Sequence, residues 1–245
     1  MNLPNKFSST YTGSREITID QCDHTSKLRI TELCNMLQSV AAKHSDLGGM
    51  SYFDMQKFNQ AWVLSSMRVE IEHLPQWHEN IEITTWIENL KGIKTVRDFE
   101  MVLNGKKIVG ATSLWVVLNT ERRRPESIAL PHDHLTKYPD KKATEHTFNK
   151  ISTNTDASEV RTHKVVYSDL DLLNHVNNVK YMEWCLDSLP ISFFESTSIK
   201  SIDVNYIKEV MMGEEITIST SFEKSEIFIY VSRPEEICFV MKLEF

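Results

Sequence analysis

Two segments of this chain repeat one another at a constant separation of 135 residues. Residues 69–83 superpose on residues 204–218, and the matched positions include Val69 with Val204, Ile81 with Ile216 and Ile83 with Ile218. Self-similarity at a fixed spacing is the mark of an internal duplication. The chain is therefore expected to fold as two units built to one plan.

The first half predicts one apolar helix followed by antiparallel strands. Apolar residues recur at helical spacing and stop at the pair Gly48-Gly49; they are Ile30, Leu33, Cys34, Leu37, Val40 and Ala41. Alternating apolar residues then predict strands around Val69 and around Ile83. The dipeptide Asn104-Gly105 favours a type I′ turn, so residues 94–103 and 106–119 are expected to form a hairpin.

The second half repeats this order after a region rich in proline and polar residues. We predict a first domain over 1–130, a linker over 131–158 and a second domain over 159–245. The second domain is expected to hold a short strand at 162–167, strands at 201–208, 215–222, 226–232 and 237–244, and a helix with Val176, Val179, Met182 and Leu186. A helix that is apolar on most sides is best buried by a curved sheet. The predicted class is α+β, with two such units side by side as a pseudo-dimer.

Composition excludes several classes of function. The formal charge of −7 argues against non-specific binding of nucleic acid or anionic membrane. The four cysteines are scattered without a C-x-x-C pair, which indicates neither a zinc site nor a redox motif. No signal-peptide core and no run of about 18 apolar residues is present, so we expect a cytoplasmic protein without membrane insertion.

The segment 167–184 is the densest group of reactive side chains, and it lies just before the second apolar helix. The group comprises Asp169, Asp171, Asn174, His175, Asn177 and Asn178. The corresponding region of the first half, near residues 20–33, carries Ser, Thr and Lys instead. One reactive centre per chain is therefore expected.

Each candidate has a catalytic and a structural interpretation. His175 fits a general base acting on water, or a residue that caps the helix. Asp171 fits an anchor for the imidazole, a nucleophile, or an Asx-turn. Asn174 fits a donor to an oxyanion or an N-cap, and Asn177 and Asn178 fit capping better than chemistry. Glu209 replaces Leu74 of the first half, and a curved sheet would bring it back to the helix start; its structural interpretation is a solvated surface residue.

Several separated segments together resemble the acyl-ACP thioesterases, double-hotdog enzymes that release fatty acids from acyl carrier protein. The resemblance covers nearly the whole chain and is carried by MLQSVAAKHSDLGG, AWVLSSMRVEIEHLPQWHENIEITTW, SLWVVLNTERRRP and DLDLLNHVNNVKYMEW. It implies that Asp171, His175 and Glu209 are the catalytic Asp, His and Glu. The family spacing D-x-N-x-H would place the asparagine at Leu173, so either Asn174 takes that role or backbone amides hold the carbonyl.

The resemblance implies hydrolysis of a fatty acyl thioester in fatty acid biosynthesis, with no metal or organic cofactor. The first domain would bind the acyl chain. An acidic carrier protein requires a local positive surface, for which Arg122, Arg123 and Arg124 are the candidates. The alternatives are an acyl-CoA thioesterase, a dehydratase of the same fold, or a silent acyl-binding protein. A monomer and a homodimer both fit.

Overall fold

The computed structural model describes residues 7–153, 158–234 and 236–245. The chain divides into two compact units. The first holds the described residues up to 65 together with residues 69–147, and the second holds residues 66–68 and the described residues from 148 onward.

The first unit packs a long helix against an antiparallel sheet. Its elements are β1 (Thr10–Glu16), α1 (Ile30–Leu47), α2 (Tyr52–Gln56), β2 (Gln60–Ile71), β3 (Asn80–Lys91), β4 (Lys94–Leu103), β5 (Lys106–Asn119) and β6 (Arg124–Pro125). The sheet order is β1-β3-β4-β5-β2, and β6 pairs with β5. Helix α1 buries the predicted apolar positions and contacts β1 and β3.

The second unit has the same order of elements. They are β7 (Ser158–Lys164), α3 (Asn178–Leu186), α4 (Ile191–Ser196), β8 (Ser201–Tyr206), β9 (Glu215–Glu223), β10 (Glu226–Arg233) and β11 (Glu236–Glu244). The sheet order β7-β9-β10-β11-β8 repeats that of the first unit strand for strand. The α+β class and the duplicated plan are thereby confirmed. None of the helices in the described ranges combines the length and the apolar character of a membrane span.

Local predictions agree with the structure at most places. The hairpin of β4 and β5 forms as expected, and both turn residues have positive φ, 51° at Asn104 and 78° at Gly105. Two boundaries differ. Strand β7 ends at Lys164 and not at residue 167, because Tyr167–Asp169 form a 3-10 turn. Helix α3 begins at Asn178, two residues after Val176, which was expected to lie in the helix. Val176 instead forms an isolated bridge with Leu170.

The segment expected to be a linker is divided between the two units. Residues 131–147 belong to the first unit, where Lys141 accepts a hydrogen bond from Trp86 Nε1 (3.0 Å) and the N–H of Ala143 donates to Asp98 (3.1 Å). Residues 148–153 belong to the second unit, where the N–H of Ile151 donates to Asn205 (2.7 Å). The backbone of this proline-rich, polar segment is therefore held by hydrogen bonds to side chains of the sheets. Residues 154–157 lie outside the described ranges.

Replacing Gly110 by alanine is expected to destabilise the first unit by about 1–3 kcal/mol. A Cβ at position 110 in β5 would lie 2.0 Å from the backbone oxygen of Ala143, so the covering segment must shift. Chemical denaturation measures the loss. Gly13→Ala is the matched control, because its Cβ would meet side-chain atoms only at ordinary distances of 3.6 Å or more. Equal stability of the two variants would contradict the prediction.

Candidate active site

The loop before α3 is closed by hydrogen bonds centred on Asp171. Its N–H donates to the carbonyl of His175 (2.8 Å), and its own carbonyl accepts from the N–H of Asn174 (3.1 Å). Its carboxylate oxygen Oδ1 accepts from the N–H groups of Leu173 (2.8 Å) and His175 (3.2 Å). This is an Asx-type turn, and it fixes the backbone from which the His175 side chain extends.

His175 and Glu209 come together although 33 intervening residues separate them in the chain. Nδ1 of His175 lies 3.5 Å from Oε1 of Glu209, and both side chains are partly buried, with 22% and 31% exposed. The residues that follow His175 and Glu209 are also hydrogen-bonded to each other, since the N–H of Val176 donates to the carbonyl of Val210 (3.4 Å). A carboxylate beside an imidazole can orient the ring and interact with the imidazolium that forms when the ring acts as a base.

The first unit contains the same loop without this pair. Asp23 Oδ1 accepts from the N–H groups of Thr25 (2.7 Å) and Lys27 (3.2 Å), and the N–H of Asp23 donates to the carbonyl of Lys27 (2.8 Å). Lys27 stands where the second loop has His175, and Leu74 stands at the position of Glu209. The aspartate is therefore common to both loops, whereas the imidazole and the glutamate are particular to the second. This comparison supports a backbone-holding role for Asp171.

Replacing Asp171 by alanine is expected to cost about 1–2 kcal/mol of stability, because two backbone N–H groups lose their acceptor. Asp23→Ala should cost a similar amount in the first unit and leave the predicted hydrolytic activity within twofold of the parent. Denaturation curves and turnover rates test both variants. Asp171→Ala should also lower the activity, because the loop that carries His175 loses these bonds. Asp171→Asn keeps an acceptor oxygen and should retain most of the activity; equal losses of activity in the two variants would mean that the carboxylate charge takes part in the reaction.

Asn174 occupies a strained backbone position in this loop. Its φ is 60°, and Ser26, the corresponding residue of the first unit, has φ 64°. Asparagine tolerates this left-handed conformation better than most residues, and the Asn174 side chain is exposed. Asn177 is the N-cap of α3, where its Oδ1 accepts from the N–H of Val179 (2.9 Å). The catalytic assignment of Asn174 stays a prediction from the sequence.

A second histidine–carboxylate contact lies at the start of the loop and was not predicted. Asp169 is buried and accepts hydrogen bonds from His163 Nε2 (3.0 Å) and from the N–H of Val166 (2.9 Å). Its carbonyl accepts from the N–H of Asn177 (2.8 Å). These contacts tie the loop to β7 and to the helix start. Burial of a carboxylate between strand and helix leaves no signal in a local sequence pattern.

The three arginines lie in the first unit, around the turn between β5 and β6. Arg122, Arg123 and Arg124 are all exposed. The turn is held by Asn119, whose side-chain oxygen accepts from the N–H groups of Glu121 (3.1 Å) and Arg122 (2.8 Å). Exposed guanidinium groups on a hydrogen-bonded turn are accessible to an acidic partner.

The cysteines have no disulfide partners, and their surroundings oppose thiolate chemistry. Cys185 of α3 is buried, and burial raises the pKa of its thiol. Burial also raises the pKa of Cys34 to about 12. A thiol with a raised pKa is a poor nucleophile near neutral pH. Cys185 therefore acts as a small apolar residue of the core.

Comparison with known proteins gives matches in both halves of the chain. The family model of the acyl-ACP thioesterase N-terminal domain matches residues 5–137, and that of the acyl-ACP thioesterase C-terminal domain matches residues 152–235. Oleoyl-acyl carrier protein thioesterase 2, chloroplastic, of Arabidopsis thaliana is 28% identical over 219 residues, which is 81% of this chain and 59% of the relative. The chloroplastic palmitoyl-acyl carrier protein thioesterase of that plant is 31% identical over 74% of this chain and 47% of the relative. The chain thus spans about half of these curated relatives.

Solved structures match the chain over almost its whole length. An acyl-ACP thioesterase from Bacteroides thetaiotaomicron has a TM-score of 0.88 at 26% identity, with 97% of this chain and 98% of that chain covered. The 12:0-ACP thioesterase from Umbellularia californica has a TM-score of 0.85 at 22% identity, with 97% of each chain covered, and this likeness is one of fold. The fold is the tandem hotdog type expected from the sequence.

Proposed function

Because the chain belongs to the acyl-ACP thioesterase family, we propose that it hydrolyses fatty acyl thioesters of acyl carrier protein to free fatty acid and free carrier protein. The observation that carries this proposal is the approach of His175 Nδ1 to Glu209 Oε1, 3.5 Å, in the half that matches the C-terminal family domain. A histidine base beside a carboxylate suits an attack by water on the thioester carbonyl. Such a reaction needs no covalent enzyme intermediate.

In the proposed reaction, His175 takes a proton from water as the water oxygen bonds to the thioester carbonyl carbon. Glu209 stabilises the imidazolium that forms. The carbon–sulfur bond then breaks, and the proton passes from His175 to the departing sulfur, which yields a carboxylic acid and a thiol. Asp171 holds the loop from which His175 extends, as its bonds to the backbone of Leu173 and His175 support.

The carbonyl oxygen requires a donor as negative charge develops on it. We assign this role to the backbone N–H of Asn178, the first residue of α3, because it lies at the positive end of the helix. The N–H groups of Asn177, Val179 and Lys180 already donate to Asp169, to the Asn177 side chain and to the Asn177 carbonyl. Asn174 remains the predicted alternative donor. The left-handed backbone at position 174 accounts for an asparagine there without such a role.

Release of free fatty acid from a panel of acyl carrier proteins with graded acyl chains tests the proposal. Matched acyl-CoA substrates are measured beside them. A higher kcat/KM on acyl carrier protein supports the proposed substrate, whereas a higher value on acyl-CoA would assign the chain to the alternative thioesterase. Bound fatty acyl groups without turnover would identify a silent acyl-binding protein.

The first unit, with Lys27 and Leu74 in place of the reactive pair, is proposed to bind the acyl chain.

Reversing the charge of Arg122, Arg123 and Arg124 to glutamate is expected to raise KM for acyl carrier protein about tenfold, because these exposed cations steer an acidic partner. Thermal stability should not change, since the side chains are exposed. The control is an acyl thioester of a small uncharged thiol, for which KM should stay the same. An unaltered KM for acyl carrier protein would exclude this docking surface.

The location of the protein is proposed from the sequence alone, as cytoplasmic. The two Arabidopsis relatives above are named chloroplastic, which describes those proteins. Monomer and homodimer both remain compatible with a chain in which duplication supplies two hotdog units.

A further inference from the structure

Two tyrosine hydroxyls join helix α3 to the segment that carries Glu209. The N–H of Val210, the residue after Glu209, donates to the Tyr181 hydroxyl oxygen (2.9 Å). Tyr206, the last residue of β8, donates its hydroxyl to the carbonyl of Asn178, the first residue of α3 (2.8 Å). The segment between β8 and β9 is thereby attached to the helix on both sides of Glu209.

The rings of these tyrosines belong to one aromatic cluster in the second unit. Tyr181 and Tyr206 meet edge to face, with ring centroids 5.8 Å apart and planes at 90°. Both pack on Phe239 of β11, at 5.3 Å and 4.9 Å. Edge-to-face contacts give such rings a defined orientation. Their hydroxyl groups are therefore held in place by packing.

The hydrogen bond from Val210 to Tyr181 joins buried groups. Val210 is fully buried and Tyr181 is 4% exposed. Burial raises the pKa of the Tyr181 phenol, so the side chain stays uncharged at neutral pH. A buried N–H that loses its acceptor pays the cost of desolvation without compensation. Without this hydroxyl, the segment would have to move to find another acceptor, and Glu209 would move with it.

The first unit provides an internal comparison, because it lacks both tyrosines. Leu33 stands at the position of Tyr181, Ile71 at that of Tyr206, and Pro75 at that of Val210. Proline has no N–H, so no acceptor is required there. The carbonyl of Pro75 still accepts from the N–H of Leu28 (2.8 Å), as the carbonyl of Val210 does from Val176. The duplicated fold therefore keeps the backbone link without tyrosine hydroxyls.

The tyrosines thus occur in the same half of the chain as His175 and Glu209, and apolar residues replace them in the half without that pair. We propose that Tyr181 and Tyr206 are positioning residues that hold Glu209 within reach of His175, with Tyr181 acting through the N–H of Val210. This inference rests on the proposed thioester hydrolysis.

A double-mutant cycle tests whether Tyr181 acts through Glu209. Tyr181→Phe removes only the hydroxyl, and we expect kcat to fall about tenfold with KM within twofold of the parent. In the Glu209→Gln background, the same change should lower kcat by less than twofold, because the group it positions is already disabled. A tenfold loss in both backgrounds would overturn the proposal.

Tyr230→Phe is the matched control. Tyr230 is buried in β10 and packs with Ile151 and with Val240 of β11. Phe239, the residue before Val240 in β11, packs on Tyr181. Since alternate residues of a strand face opposite sides of the sheet, this control makes the same chemical change on the other face. We expect its kcat to stay within twofold of the parent. A tenfold loss of kcat in this control would mean that the effect of Tyr181→Phe is general and would overturn the proposal.

Amide hydrogen exchange separates this proposal from the proposed function. In Tyr181→Phe, exchange in the segment 207–213 should become at least tenfold faster, and in Tyr230→Phe it should not change. If the parent protein releases no fatty acid, the proposed function fails, and the exchange result alone decides whether the tyrosine holds the segment. Unchanged exchange in 207–213 would overturn the positioning role. Tyr206→Phe serves as the second variant if Tyr181→Phe does not fold.

Discussion

Replacing His175 by alanine is expected to lower kcat about 10²- to 10⁴-fold with KM little changed, because a positioned general base contributes that much to a proton transfer. The side chain is partly exposed and its loop is held by Asp171 through backbone bonds, so the fold should stay intact. Steady-state release of fatty acid, with circular dichroism to verify folding, measures the effect.

The matched control for this variant is His78→Ala. His78 Nδ1 lies 2.7 Å from Glu16 Oε1, so it belongs to a histidine–glutamate pair of the same chemistry, but it is exposed on the first unit. We expect its kcat to remain within twofold of the parent. Activity of His175→Ala within threefold of the parent would reject His175 as the base.

Replacing Glu209 by glutamine is expected to lower kcat about 10²-fold, because the substitution keeps the size of the side chain and removes the charge that stabilises the imidazolium. If Glu209 acts through His175, the double variant His175→Ala/Glu209→Gln should be no less active than the worse of the two single variants. Initial rates over a range of acyl carrier protein concentrations separate kcat from KM.

Glu16→Gln is the corresponding control, since it removes the carboxylate from the exposed pair with His78. Its kcat should match that of the parent. A double variant of His175 and Glu209 with losses that multiply would show that the two residues act independently, and Glu209 would then need a different role, such as direct activation of water.

The approach of Glu209 to His175 agrees with an expectation that had three sources. The repeat aligned Glu209 with Leu74, a curved sheet would bring the end of the preceding strand back towards the helix start, and the family resemblance implied a catalytic glutamate at this position. For Asp171 the sequence left three interpretations open: an anchor for the imidazole, a nucleophile or an Asx-turn. The structure shows Asx-turn geometry at Asp171, and Asp23 of the first unit has the same geometry.

Other parts of the site left no readable pattern. The position of Asn174 at φ 60° depends on how the turn closes, and the sequence alone left a side-chain role open. Residues 131–147 have the composition of a linker, yet they lie against the first sheet, because side chains such as Asp98 and Trp86 bind their backbone. The composition of a segment indicates its own conformational preferences. It does not show which hydrogen-bonding side chains a distant strand presents to that segment.

The sequence by itself determined the duplication, the class of fold and the turn at Asn104-Gly105. These features depend on periodicities of 3.6 and 2 residues and on the backbone preferences of single residues, which are properties of the local chain. The tertiary structure alone decided which groups meet: the bond between Val210 and Tyr181, the burial of Asp169 against His163, and the place of residues 131–147. Such contacts join residues that are far apart in sequence or lie in different elements, and their energy depends on distances of a few tenths of an ångström. Those distances are set by the packing of whole helices and strands.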